Sequence, residues 1–104
     1  MRITEDSPAR LAILYGTSLT VFNRETGQIL QDSKLVATFP TVALIELQQV
    51  QRARDSPRWE IGLHLSDGRI LKIGQLGEPE EASIVAAHIG TATGKPVSVS
   101  PVLG

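Results

Sequence analysis

The sequence predicts an α+β domain, an antiparallel β-meander or partly open barrel closed by one C-terminal α-helix. Three observations carry this. Residues 58–65, R-W-E-I-G-L-H-L, alternate apolar and polar positions and lead through Ser66-Asp67-Gly68 into a second apolar run. Upstream, short apolar segments are separated by polar turns that repeatedly contain glycine. Near the end, Ala82, Val85, Ala86, Ile89 and Thr93 recur at the spacing of one helix face.

Residues 1–9 read as a polar lead-in, residues 10–99 as a single domain and 100–104 as a tail. Leu11–Tyr15 is an unbroken apolar run whose flanking Gly16 favours a strand over a helix. Leu19–Asn23, rich in β-branched and aromatic types, is the next strand. Gln28–Gln31 follows the Arg24–Gly27 turn as a short third strand. Leu35–Phe39 is an extended segment ending at Pro40, which disfavours helix at the preceding residue. Residues 41–52 match helical and strand spacing about equally. The surrounding meander selects a strand from about Ile45. Ala53–Pro57 is a loop.

The hairpin that follows sets the register. A two-residue loop would pair Leu63 with Lys72 and put a charge on the apolar face. A type I turn over Ser66-Asp67, with Gly68 left-handed as a bulge, pairs Leu63 with Leu71 and Ile61 with Ile73. The inner face then carries Trp59, Ile61, Leu63, Leu71 and Ile73. Glu60, Gly62, His64, Ile70 and Lys72 form the outer one. Pro79 suits a first helical position, with Glu80 and Glu81 where the helix dipole favours negative charge. Gly94 and Pro96 end the helix. Val97–Val99 reads as a short final strand.

The totals narrow the function classes. One domain of 104 residues can hold its own core without metal or disulfide staples. With no cysteine, thiol chemistry and thiolate metal sites are excluded. Met1–Pro8 lacks an apolar signal-like run, and no window approaches the about 18 apolar residues of a spanning helix. A cytoplasmic, soluble protein without stable membrane insertion is expected. Ten Lys+Arg against eleven Asp+Glu, with only Tyr15, Phe22, Phe39 and Trp59 as aromatics, argues against nucleic-acid binding.

No catalytic, metal or cofactor constellation emerges. Ser66 and Asp67 beside His64 are accounted for as turn formers. His88 has Ala92 and Ile84 at helical spacing, so no second ligand stands beside it. Glu78, Glu80 and Glu81 fit helix-start electrostatics. Gly74-x-x-Gly77 lacks the phosphate-cradling pattern. The one cationic concentration, Arg52, Arg54 and Arg58, is a candidate anion site, since guanidinium forks suit phosphate and carboxylate; a solvated loop is the plainer account of it.

Short antiparallel strands, the hairpin R-W-E-I-G-L-H-L-S-D-G-R-I-L-K-I-G and the closing E-P-E-E-A-S-I-V-A-A-H-I together resemble the pleckstrin-homology-like superfold, in particular its small bacterial domains, over about Arg10 to Pro96. The resemblance implies a binding module rather than an enzyme. Its lipid-binding members carry basic residues around the first hairpin. Here Tyr15-Gly16-Thr17-Ser18-Leu19 has none, which argues against lipid head-group binding. The expectation is a non-catalytic protein-interaction or assembly domain, self-associating as a homodimer through a free sheet edge or through an outer hairpin face carrying Ile70, Lys72 and His64. The alternative is a phosphoryl- or anion-ligand protein or enzyme using Arg52, Arg54 and Arg58 with His64.

Overall fold

The computed structural model describes residues 1–50 and 56–100. Two open sheets enclose one core. The first is a five-stranded antiparallel meander in chain order: β1 (Arg2–Asp6), β2 (Arg10–Tyr15), β3 (Ser18–Asn23), β4 (Gln28–Gln31) and β5 (Lys34–Thr38). A 3-10 turn, Phe39–Thr41, leads to the second sheet. There β6 (Val42–Val50), β7 (Arg58–Leu65), β8 (Ile70–Leu76) and β9 (Val97–Ser100) lie in the order β8-β7-β6-β9. The one helix, α1 (Pro79–Thr93), connects β8 to β9. The architecture is thus α+β, a meander plus one helix, with two open sheets in place of a closed barrel.

The helix forms as its sequence dictates. Pro79 opens it, Glu80 and Glu81 occupy the first turn, and Gly94 caps it at φ 72° with its N–H donating to the Gly90 carbonyl. Its buried residues are Ala82, Val85, Ala86, Ile89 and Thr93, the five that share one face. They meet Ile61, Leu63 and Ile73, with Trp59 and Leu71 packed alongside, and the core extends to Leu11, Ile13, Phe22 and Ile29 of the first sheet. The helix therefore fills the space between two inner sheet faces.

The turn of the central hairpin is the bulged one. Gly68 has φ 91° and its N–H donates to the Leu65 carbonyl at 3.0 Å. Leu63 stands opposite Leu71, and His64 opposite Ile70. Further along the register departs from the sequence expectation. Ile61 faces Gly74 rather than Ile73, because β8 carries an extra residue there. The reason lies in the neighbouring sheet: a Cβ on Gly74 would come within 2.6 Å of Met1 Cε and Tyr15 Cγ. The sheets converge at this point, and bare backbone is what lets them. Beside it the Gln31 amide donates to the Lys72 carbonyl at 3.2 Å, tying β4 to the edge of β8.

Three further expectations are corrected. Residues 1–9 are more than a lead-in: Arg2–Asp6 is an edge strand on β2, with a bulge between Ile3 and Glu5. The strand expected from Ile45 begins at Val42, because pairing with β7 recruits its first turn of chain. The helix is followed by β9, which pairs parallel to β6, and Ser100, assigned to the tail, is part of that strand. Among the described residues no helix is long and apolar enough to cross a membrane.

Candidate interaction surfaces

Each sheet has an inner face on the core and an outer face toward solvent, and the strand registers place the chemistry of both. On the second sheet, Leu44, His64 and Ile70 form one row across β6, β7 and β8. Ser98, Glu46, Gly62 and Lys72 form the next, and Ser100, Gln48, Glu60 and Gln75 the one after. The candidate residues His64, Ile70 and Lys72 are thus brought together. Ile70 is 54 % exposed and lies over Gly62, where a Cβ would meet its Cγ2 at 3.2 Å.

The polar groups on this face largely satisfy one another. His64 Nε2 lies 3.1 Å from Glu46 Oε1, at an angle short of good hydrogen-bond geometry. Ser100 Oγ donates to Glu46 Oε2 at 2.9 Å. The imidazole chiefly, and the Ser100 hydroxyl secondarily, hold the Glu46 carboxyl below its ordinary value against the opposing effect of burial. The Gln75 amide donates to Glu60 at 2.9 Å, and Lys72 Nζ lies 3.8 Å from the same carboxylate. With the carboxylate between serine and histidine, no base faces a nucleophile, so this trio lacks the geometry of acyl-transfer catalysis. Among the described residues no three His, Cys, Asp or Glu side chains are placed to hold a metal ion.

Arg58 belongs to the same strand face as His64, but six residues away. At about 3.4 Å per residue the two stand about 20 Å apart along β7. Arg52 and Arg54 lie outside the described residues. His88 places Nδ1 3.0 Å from Asp6 Oδ2, while Arg24 Nη2 reaches Asp6 Oδ1 at 3.0 Å. Asp6 thereby ties the edge strand β1 to the helix and to the turn after β3.

The first sheet carries a surface of different character. Ala12 pairs with Val21, Val21 with Leu30 and Leu30 with Leu35, an apolar row crossing four strands on the face away from the core. Leu14 and Leu19 pair in the next row. None of the six belongs to the core cluster, and of them Ala12 is itself buried, at 5 % exposure. On β1 the first row ends at Glu5, opposite Ala12, and the next at Arg2, opposite Leu14. Leu35 is 57 % and Leu19 37 % exposed. A shallow concavity of about 550 Å³ lies here, lined by Leu19, Val21 and Leu30, by Arg10 and Asn23 toward one end, and by Asp32 and Ser33 toward the other. Asp32 and Ser33 form the turn between β4 and β5 with φ 52° and 69°, the left-handed pair of a tight hairpin. The Asp32 carboxylate accepts from the Leu19 N–H at 2.8 Å and from Ser18 Oγ at 3.1 Å.

The sequence held a signal for this face. L-A-I-L-Y and I-L are unbroken apolar runs, and a strand apolar on both sides expects cover on both sides. A second concavity, about 460 Å³, follows β5 beside the turn after β7. Its charged groups, Asp67 and Arg69, bond each other at 2.7 Å.

Comparison with protein-family models, with curated proteins and with solved structures gave no match.

Proposed function

We propose that this chain is a non-catalytic protein-interaction or assembly domain whose docking surface is the outer face of β1–β5. The observation that carries the reading is the in-register apolar row Ala12–Val21–Leu30–Leu35 beside Leu14–Leu19. Large apolar side chains in a contiguous patch cost solubility unless a partner covers them. The hairpin face with His64, Ile70 and Lys72 supports the same class of function less well, since Ile70 is a lone exposed apolar residue above self-paired polar groups. The anion-ligand alternative needs His64 beside the arginines, and the separation along β7 keeps Arg58 from it.

The test compares wild type with Val21→Lys. Val21 lies outside the core, so the variant keeps the wild-type fold and unfolding midpoint. Purified tagged proteins are used to recover partners, this chain included, from the source cells. Partners held by wild type and lost by Val21→Lys are the expected result. Identical partner sets, or turnover of a phosphorylated ligand abolished by Arg58→Ala, would overturn the reading.

A further inference from the structure

Among the described residues four strand edges have no neighbouring strand: β1 and β5 in the first sheet, β8 and β9 in the second. Such an edge accepts a further strand unless charge or a bulge blunts it. β1 has Arg2, Glu5 and Asp6, with a bulge between Ile3 and Glu5. β5 begins at Lys34 and shifts register against Ile29 and Leu30. β8 carries Lys72 and a register shift, and the Lys72 carbonyl already accepts from Gln31. β9 has none of these. Val97-Ser98-Val99-Ser100 pairs with β6 in unbroken register and contains no charge. Val97 is 40 % and Val99 60 % exposed, although both stand beside the buried Ile45 and Leu47.

The register of this edge selects its occupant. The Pro96 carbonyl accepts from the Ile45 N–H at 2.9 Å, so Pro96 turns its backbone toward β6. The direction alternates along a strand. Ser98 therefore also faces β6, while Val97 and Val99 turn their N–H and C=O groups outward. V-S-V reads the same in both directions. Two antiparallel copies centred on Ser98 set serine against serine, and Val97 of each against Val99 of the other. Each valine pair exchanges both its hydrogen bonds, so every outward group of the two valines is used. A slip of two residues loses this. It sets Val99 against Lys95, whose N–H is already bonded to the Gly90 carbonyl, or Val97 against Pro101, which has no N–H.

We propose that β9 pairs antiparallel with β9 of a second copy of this chain, about a twofold axis at Ser98, joining the two second sheets into one. A foreign strand would be selected by pockets for its alternate side chains, and neither concavity described above borders β9. The helix leaves space. It packs mainly over β6 and β7, and its side toward β9, marked by Gly90 against Val97, continues in the small Ala87 and Ser83. The charged neighbours of β9 along the chain and across the ladder are Lys95 and Glu46. About the axis the two Lys95 stand about 20 Å apart and the two Glu46 about 14 Å, both beyond the screening length of about 8 Å. An edge this short makes a small contact, so the dimer is weak and concentration-dependent.

This inference stands apart from the docking face assigned above, and the purified chain tests it. In sedimentation up to about 1 mM, wild type dimerises and Val21→Lys dimerises equally. Ser98 is exposed, and Ser98→Lys or Ser98→Glu sets like charges directly opposite each other. Each weakens the dimer about tenfold or more, and an equal mixture of the two returns to within about threefold of wild type. Circular dichroism checks the fold of each. Should Ser98→Glu disturb β9 through its neighbour Glu46, an uncharged variant gives an independent reading. Opposed residues of a non-hydrogen-bonded pair have Cα atoms about 4.5 Å apart, within reach of a disulfide. The native chain has no cysteine. Under air, Ser98→Cys is therefore expected to form a disulfide dimer at least about tenfold faster than Ile70→Cys, which is exposed on the same sheet face. A wild type monomeric at about 1 mM, no recovery on mixing, or equal oxidation of Ile70→Cys overturns the pairing. A dimer that Val21→Lys abolishes and Ser98→Lys spares overturns it as well, and assigns self-association to the outer face of β1–β5.

Discussion

The outer faces of the two sheets share strand geometry and differ in almost everything else. On β6–β9 the two central rows hold Glu46, Gln48, Glu60, Lys72, Gln75, Ser98 and Ser100, linked by short polar contacts. On β1–β5 the equivalent rows hold Ala12, Val21, Leu30 and Leu35, then Leu14 and Leu19, with charge only at their ends, in Glu5, Arg2 and Asp32. Water satisfies the first surface, and the second gains free energy only when something excludes water from it. A sheet needs one apolar face to fold. A second apolar face is surplus to folding, and in the proposed reading it is where this molecule meets another.

The largest expected effects separate inner from outer faces. Phe22→Ala and Leu63→Ala, each removing a side chain with no exposure, cost about 3–5 and about 2–5 kcal/mol respectively in denaturant unfolding. Val21→Lys, one residue from Phe22 on the opposite face, changes stability by no more than about 0.5 kcal/mol. A loss of several kcal/mol on Val21→Lys would show that the outer face is part of the core, and the comparison would break.

Next comes the seam between the sheets. Gly74→Ala puts a methyl within 2.6 Å of Tyr15 and Met1. Overpacking of this kind costs about 1–3 kcal/mol. Pairing it with Tyr15→Ala, which opens the space, should recover part of the loss in a double-mutant cycle. Strictly additive costs would show that the sheets do not meet there.

A smaller effect tests whether the polar face is held by its own contacts. The Glu46 carboxyl is lowered below its ordinary 4.5, chiefly by His64. A carboxyl with a depressed folded-state value contributes stability that is present above its unfolded value and lost as pH falls through the folded one. The wild-type advantage over Glu46→Gln in thermal midpoint should therefore be present at pH 6 and shrink toward pH 3. An advantage that grows on acidification would contradict the assignment. Smallest of all, Ile70→Lys leaves both midpoint and sedimentation close to wild type.

How much of this was legible follows from which signals are local. The helix was read residue by residue, because its period, opening proline and terminal glycine all act within one element. The hairpin turn and the Leu63–Leu71 pair followed from keeping Lys72 off an apolar face. The bulge at Ile73 could not follow, since its cause is Tyr15 and Met1 arriving from another sheet. Arg2–Asp6 passed as a lead-in because R-I-T-E-D offers a single aliphatic residue, and its pairing with β2 and the Asp6 contact to His88 are tertiary. The candidate site was drawn to the clearest alternation in the chain, around His64, Ile70 and Lys72. The apolar face announced itself more quietly, as strands with no alternation at all.

The most direct measurement is a series of two-dimensional NMR spectra of the labelled wild-type chain as the partner recovered by wild type and lost by Val21→Lys is added. Leu14, Leu19, Val21, Leu30 and Leu35 are predicted to shift together as the partner is added, while Glu46, Glu60, His64, Ile70 and Lys72 stay in place. Shifts confined to the second group, or none in either, would contradict the account.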